Sequence, residues 1–178
     1  MENNFEHSLK SDHDELDGLL AGIFGLINES DFAGTFLRLD VFWARLAVHI
    51  RAEHLHLFPA VCEASRSANP DSQFEELPDV IAELRGDHEH FMKALAALVK
   101  LMRSAKSNER DILEEVRENL IPLKNRIVEH NRIEEERIYN VARSSLLDVE
   151  TISAAVRKEL VNLPPRLNSG PIKDERRY

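Results

Sequence analysis

The sequence predicts an all-α fold, an antiparallel up-down-up-down four-helix bundle with a short additional C-terminal helix. Three observations predict it. Only 6 glycines and 7 prolines interrupt the 178 residues. Apolar residues recur at steps of three and four, and no stretch alternates with period two, which is the helical pattern. Short polar connections join the long amphipathic segments, and such connections favour antiparallel neighbours.

The predicted helices follow from this periodicity and from the breakers between the apolar stripes. In chain order they cover about 8–28, 32–65, 78–103, 109–143 and 149–161. We expect the second helix to be irregular near Gly34 and Pro59. Pro122 is expected to kink the fourth helix or to start a new segment, because proline lacks the N–H that a helix needs. One domain is predicted over 1–165, followed by a polar tail over 166–178.

The composition excludes several classes of function. The 32 acidic residues outnumber the 23 basic ones, and the resulting net charge of −9 repels the phosphates of nucleic acids. The single cysteine, Cys62, excludes an internal disulfide framework and a cysteine-based zinc or iron–sulfur site. No apolar run reaches the roughly 18 residues of a membrane span, and no signal peptide is visible. We therefore expect a soluble cytoplasmic protein that binds neither nucleic acid nor membrane.

Four of the eight histidines lie on the apolar faces of predicted helices. When residues are placed 100° apart on a helical wheel, Leu84 and Leu95 fall within about 40° of His88 on the third helix. The same construction places a histidine among the apolar residues of each of the other long helices: His13, His49 and His130. We therefore expect all four imidazoles to point into the core.

The chain also repeats one pattern. Residues 45–53 have the sequence RLAVHIRAE and residues 126–134 have RIVEHNRIE, so Arg, His, Arg and Glu recur in register. An Asp–His pair precedes each segment, at 12–13 and at 87–88. Each half is therefore predicted to form one helical hairpin, and the two hairpins carry the same candidate ligands.

These residues have the types and the spacing of a two-metal site. A glutamate follows each central histidine by four residues, at Glu53 and Glu134, which places the two side chains on one face, about 6 Å apart along the axis. Two unpaired carboxylates in an apolar core would cost several kcal/mol each, so they need cations. Two metal ions bridged by both carboxylates meet that need. Imidazole with carboxylate suits iron, zinc or manganese, and helical bundles with such sets typically hold two irons. The predicted ligands are His13, His49, Glu53, His88, His130 and Glu134.

This pattern resembles that of the hemerythrin-like (HHE cation-binding) domain, over about His7 to Ala142. The resemblance implies a bundle of hemerythrin type and a solvent-bridged non-haem di-iron centre with Glu53 and Glu134 as bridges. It also implies a site for a small ligand, namely oxygen, nitric oxide or peroxide. Met92 occupies the position of a further histidine in oxygen-carrying hemerythrins. This difference leaves about one open position per ion and is closer to the hemerythrin-like sensor and iron–sulfur repair proteins.

Three functions remain open at this point. The first is a metal-binding protein that binds a small ligand or handles iron. The second is a di-iron enzyme that reduces nitric oxide or peroxide or assists iron–sulfur cluster repair, and the third is a metal-free structural bundle. The metal, the physiological ligand and the oligomeric state are also open.

Other polar residues near the predicted site have alternative roles. Asp17 is predicted to be a ligand, an outer partner of one, or an exposed-edge residue. His56 is predicted to be an extra ligand, to line an access channel, or to lie at the surface. Cys62 is predicted to fill the core, whereas His54 and His90 are expected to project away from the site into solvent. Apart from Glu134, the charged run at 134–137 is also expected to lie mostly at a solvated face. His7 is also expected to be solvated, and the arginines one turn before the central histidines, Arg45 and Arg126, either offset carboxylate charge or lie at a solvated flank.

Overall fold

The computed structural model describes residues 5–67, 76–105, 108–145 and 148–162, and no strand occurs in these ranges. The prediction of an all-α fold is therefore confirmed. In chain order, the helices are α1 (Phe5–Asn28), α2 (Phe32–Ala52), the π-helical segment π1 (Glu53–Leu57), α3 (Phe58–Ser67), α4 (Leu77–Ser104), α5 (Glu109–Ile133), the π-helical segment π2 (Glu134–Tyr139), α6 (Asn140–Ser145) and α7 (Val149–Leu160).

Two predicted helices each contain a π-helical turn. The second predicted helix corresponds to α2, π1 and α3, and the fourth corresponds to α5, π2 and α6. The irregularity expected near Pro59 occurs just before it, in π1. The irregularity expected near Gly34 does not occur, because α2 starts as a regular helix that Asp31 caps by accepting the Gly34 N–H at 2.9 Å. Each π segment begins at one of the two predicted bridging carboxylates, Glu53 and Glu134. π-helical turns inside α-helices are frequent at functional sites.

Pro122 does not start a new segment, which excludes one of the two predicted outcomes, and the kink stays a prediction. Helix α5 continues through it from Glu109 to Ile133. Proline removes one helical hydrogen bond and leaves the carbonyl four residues earlier, that of Glu118, without its usual donor. Both residues are exposed, so water can serve that carbonyl and the helix continues.

The core consists of two apolar clusters. Helix α1 packs against α2, α5 and α7, and α4 packs against α2 and α5. Cluster A contains buried residues of α1, α2, α4 and α5, among them Leu20, Phe42, Leu95 and Leu120. Cluster B contains buried residues from the other ends of the same segments, among them Phe5, Leu57, Leu84 and Ile138. On the helices that carry them, the predicted ligands lie where cluster A meets cluster B.

The remaining fold predictions concern the C-terminal part and the membrane. The fifth predicted helix is present as α7, which packs against α1 and α2. The predicted tail, 166–178, lies outside the described residues, and the limit of the domain at residue 165 stays a prediction. Within the described ranges, no helix combines the length and the apolar character needed to cross a membrane.

Candidate metal centre

The structure brings all six predicted ligands to one level of the core. They come from α1, α2, π1, α4, α5 and π2, and each is at most 3% exposed: His13, His49, Glu53, His88, His130 and Glu134. Their donor atoms form two groups, in each of which all atoms lie within 4.8 Å of one another. One group contains His13 and His49, the other contains His88 and His130, and both contain Glu53 and Glu134. The two carboxylates are therefore shared, and each group can hold a metal ion.

The donor atoms are spaced like the ligands of a metal ion. The Nε2 atom of His49 lies 3.4 Å from Oε1 of Glu53, and the Nε2 atom of His88 lies 3.4 Å from Oε2 of the same carboxylate. The Nε2 atom of His130 lies 3.0 Å from Oε1 of Glu134. His13 Nε2 lies 3.4 Å from Oε2 of Glu134. Metal–ligand bonds of about 2.1 Å separate neighbouring ligands by about 3.0 Å in an octahedron and about 3.4 Å in a tetrahedron. The distances therefore fit either geometry.

Several of these atoms have no hydrogen-bond partner among the described residues. They are Oε2 of Glu53, both carboxylate oxygens of Glu134, and the Nε2 atoms of His88 and His130. These atoms lie close to one another, but their contacts do not have the geometry of hydrogen bonds. A buried polar atom without a partner costs about 1–3 kcal/mol, and more when it is charged. A cation between them satisfies all of these atoms, so the donor set fits a metal centre.

Each predicted ligand histidine has a second contact, made by its Nδ1 atom with a side chain that is not among the six ligands. The contacts of the Nδ1 atoms are His13 to Glu135 Oε1 at 3.1 Å, His49 to Asp12 Oδ2 at 3.0 Å, His88 to His54 Nε2 at 2.9 Å and His130 to Asp87 Oδ2 at 3.2 Å. When Nδ1 carries the proton and donates it outward, the lone pair of Nε2 faces the other ligands. Such outer partners fix the ring orientation and the tautomer of a metal-binding histidine.

Two arginines support the outer aspartates. Arg45 donates to Asp12, and Arg126 donates to Asp87 from Nε at 2.7 Å. The arginines therefore offset the charge of these aspartates rather than that of Glu53 and Glu134. The sequence held a signal for this role, because the Asp–His pair occurs at the same place in both halves.

The predictions for His54 and for Glu135 are wrong. The helical wheel places His54 about 140° from His49, pointing away from the carboxylates. That direction leads instead to the outer edge of His88 on α4, where the two rings make their 2.9 Å contact. Glu135 was expected at a solvated face, but it contacts both His13 and Lys10, the latter at 2.7 Å. A wheel drawn for one helix does not show what lies on its neighbour.

Tyr139 is a site residue that sequence reasoning missed. It is fully buried in π2, and its hydroxyl lies 3.3 Å from Glu53 Oε1 and 3.4 Å from His13 Nε2. Its ring stacks on that of His13 at 6.1 Å, as the ring of Phe58 stacks on that of His88 at 5.9 Å. The repeat held the signal for this pair, because Tyr139 follows Phe58 by the same 81 residues that separate the two central histidines.

The other candidates lie outside the two groups of donors. Asp17 is exposed, which fits its exposed-edge role. His56 is partly exposed and has its Nε2 4.0 Å from Oε2 of Glu159, which fits the surface role. His7 and His90 are exposed, as expected.

Two residues with roles suggested by the sequence, Met92 on α4 and Cys62 as a core residue, are only partly buried. Met92 is partly buried and packs against cluster A. The neighbouring Phe91 is the residue whose ring meets that of His130, at 5.1 Å. Cys62 is a free cysteine, partly buried, that packs against cluster B.

Burial and the neighbouring charges shift the pKa values in the metal-free centre. Burial, together with the nearby Glu134 carboxylate, raises the pKa of Glu53. Burial acts in the same direction on Glu134, but the imidazoles of His130 and His13 outweigh it and lower the pKa of that carboxyl. Burial lowers the pKa of His88 to about 2, and burial next to the two carboxylates raises the pKa of Tyr139. The neighbouring carboxylates outweigh burial at His49 and His130 and raise the pKa values of both imidazoles.

Comparisons with protein-family models, with curated proteins and with solved structures find no match for this chain. The structure supports a statement that is coarser than the sequence resemblance. The described chain is helical, and it holds two buried groups of histidine and glutamate side chains that can each bind a metal ion. This arrangement is compatible with a hemerythrin-like fold.

Proposed function

We propose that this protein is a hemerythrin-like di-iron protein that binds or senses oxygen, nitric oxide or peroxide, or handles iron. The observation that carries the proposal is a set of buried imidazole and carboxylate atoms that find no hydrogen-bond partner in the ranges the structure describes. These atoms converge where two groups of donors share two carboxylates. An apolar core would not retain these groups without a cation, because each costs stability when it is left alone.

The order of the core along the chain supports an antiparallel hemerythrin-type bundle. Helices α1 and α4 contribute first to cluster B, then a ligand histidine, and then to cluster A. Along α2 with π1, and along α5 with π2, cluster A comes first and cluster B last. Alternating order on successive long helices is what an up-down-up-down arrangement requires.

In this proposal, His13 and His49 hold one ion, His88 and His130 hold the other, and the two glutamates bridge them. Two imidazoles and shared carboxylates per ion suit iron, with manganese and zinc as the alternatives. Bound iron would supply a reversible change of oxidation state and a coordination position for a small ligand. The Nδ1 partners of the imidazoles would orient the ligands, and clusters A and B would exclude water from the centre. Tyr139 would place a hydroxyl group beside it.

Metal content and ligand binding test the proposal. We expect two irons per chain in freshly purified protein, measured by elemental analysis, together with the near-ultraviolet absorption of an oxo-bridged ferric pair. Nitric oxide and azide should change that spectrum in proportion to the iron bound. His49→Ala with His130→Ala should abolish both signals, whereas His90→Ala, at an exposed position, should abolish neither. Less than one metal ion per chain in undisturbed protein would refute the proposal and favour the metal-free bundle.

The buried hydroxyl of Tyr139 favours one second candidate, a di-iron enzyme that reduces peroxide or nitric oxide. A phenol within 3.4 Å of a ligand nitrogen and of a bridging carboxylate can donate a proton at the site. The two functions differ in turnover. A binding protein gives a spectral change with a fixed stoichiometry, whereas an enzyme consumes many equivalents of peroxide or nitric oxide per di-iron centre.

A further inference from the structure

The two halves of the centre match in most of their outer contacts. In each half, an aspartate holds the central histidine and an arginine holds the aspartate. In each half, the residue after the bridging glutamate contacts the histidine of the opposite hairpin's first helix. The residue four positions further on stacks on that same histidine. The two halves therefore share one pattern of outer contacts.

The copies differ in the residue that holds the first-helix histidine. His13 meets the carboxylate of Glu135, whereas His88 meets the neutral ring of His54. A carboxylate that accepts the Nδ1 proton makes an imidazole a stronger electron donor than a neutral acceptor does. The position of His13 and His49 therefore has two anionic outer partners, and the position of His88 and His130 has one.

Nearby cations do not remove this difference. Lys10 contacts Glu135, but its side chain is 59% exposed, so solvent screens its charge. On the other side, the guanidinium of Arg85 lies 5.9 Å from the Phe58 ring, which itself stacks on His88. Arg85 is exposed as well, so solvent also screens its charge, and neither cation decides the difference between the two positions.

We infer that the two metal positions are unequal, and that Glu135 and His54 are the positioning residues that make them so. The position of His13 and His49 fills first and releases its ion last. The position of His88 and His130 fills second and releases its ion first. This inference rests on the proposed function, because it requires two bound ions.

Titration of the metal-free protein with Co²⁺ alone, followed by calorimetry and visible absorption, tests the inference. Two steps of different affinity are expected. Glu135→Gln keeps an oxygen that can accept the Nδ1 proton of His13 but removes its charge, so the tighter step should weaken by about 10–100-fold and approach the weaker one. His88→Ala should retain the tighter step, and His13→Ala should lose it, which assigns each step to its position.

Matched variants separate the effect of charge from that of altered packing. His54→Gln keeps a neutral acceptor and should leave both steps unchanged. His54→Glu supplies the missing carboxylate and should tighten the weaker step by about tenfold. Glu136→Gln, at an exposed residue paired with Arg132, is the control and should change neither step. If His54→Glu fails to fold, the comparison of Glu135→Gln with His54→Gln in the same Co²⁺ titration is sufficient to test the inference.

Two outcomes have different meanings. If the unchanged protein binds two Co²⁺ ions in equal steps and Glu135→Gln alters neither, the inference is wrong while the metal site stands. If the unchanged protein binds no Co²⁺, the proposed function itself fails.

Discussion

Glu53→Gln should stabilise the metal-free protein and abolish its response to metal. Glu53 is completely buried, its Oε2 has no hydrogen-bond partner within the described part of the chain, and burial beside Glu134 raises its pKa. A carboxyl whose pKa is raised in the folded state reduces stability as the pH rises above its ordinary value, because the unfolded chain ionises more readily. An amide of nearly the same shape removes that cost, but it cannot bridge two cations.

The structure allows rough magnitudes for both effects. Relieving a buried unpartnered polar group is worth about 1–3 kcal/mol, and 1 kcal/mol shifts the Tm of a domain of this size by about 2–4 °C. The Tm of the metal-free variant should therefore exceed that of the metal-free parent by several degrees at pH 7. Metal at a thousand times its Kd should stabilise the parent by about 4 kcal/mol. Most of that gain should be absent in the variant.

Calorimetry of both proteins, with metal and after chelation with verified metal loss, measures these shifts. The advantage of the metal-free variant should shrink as the pH falls toward the ordinary glutamate range, because Glu53 in the parent then takes up a proton. Glu136→Gln is the matched control, since its carboxylate is exposed and pairs with Arg132 at the surface. A metal-free variant less stable than its parent at pH 7, or one that keeps the full response to metal, would show that Glu53 does not carry an uncompensated charge.

Three further predictions concern single side chains around the ligands. Asp12→Asn should weaken metal binding by about 10–100-fold with an unchanged helical circular dichroism spectrum, because the Nδ1 of His49 loses its carboxylate; unchanged affinity in a Co²⁺ titration would contradict this role. Tyr139→Phe should keep the full metal content but alter the affinity for azide, because the hydroxyl beside the centre is lost; identical azide titrations would exclude its participation. Met92→His should supply an imidazole one turn after the histidine of α4, slow autoxidation and weaken exogenous ligands, and an unaltered spectrum would show that residue 92 does not reach the metals.

The sequence was sufficient to predict the helices and the six residues that converge. Both follow from local rules, since a repeat of three and four residues fixes a helix face and a separation of four places two side chains together on it. At Pro122 the local rule allowed either a kink or a new segment, and the continuous helix α5 excludes the new segment. The carbonyl that proline leaves without a donor belongs to an exposed residue, so the helix loses little there.

The outer contacts of the ligands could not be predicted in the same way. They join residues that are distant in the chain, 34 residues for His54 with His88 and 122 for His13 with Glu135. A single helix gives the direction of a side chain but not the group it meets. Two of the four contacts were nevertheless visible in the repeat, because an aspartate precedes the first-helix histidine in both halves. The other two involve different residue types in the two halves, so the repeat conceals them.

This divergence bears on how the centre works. If both halves had kept the same outer partners, the two metal positions would be equivalent and a small ligand would have no reason to prefer one of them. The chain instead places a carboxylate and a phenol, Glu135 and Tyr139, beside His13, and an imidazole and a phenyl ring, His54 and Phe58, beside His88. The first position is thus the more anionic, and the Tyr139 hydroxyl lies beside its histidine, 3.4 Å from His13 Nε2. A ligand that needs a hydrogen bond should therefore bind near His13, whereas an ion bound at His88 should be the more readily exchanged.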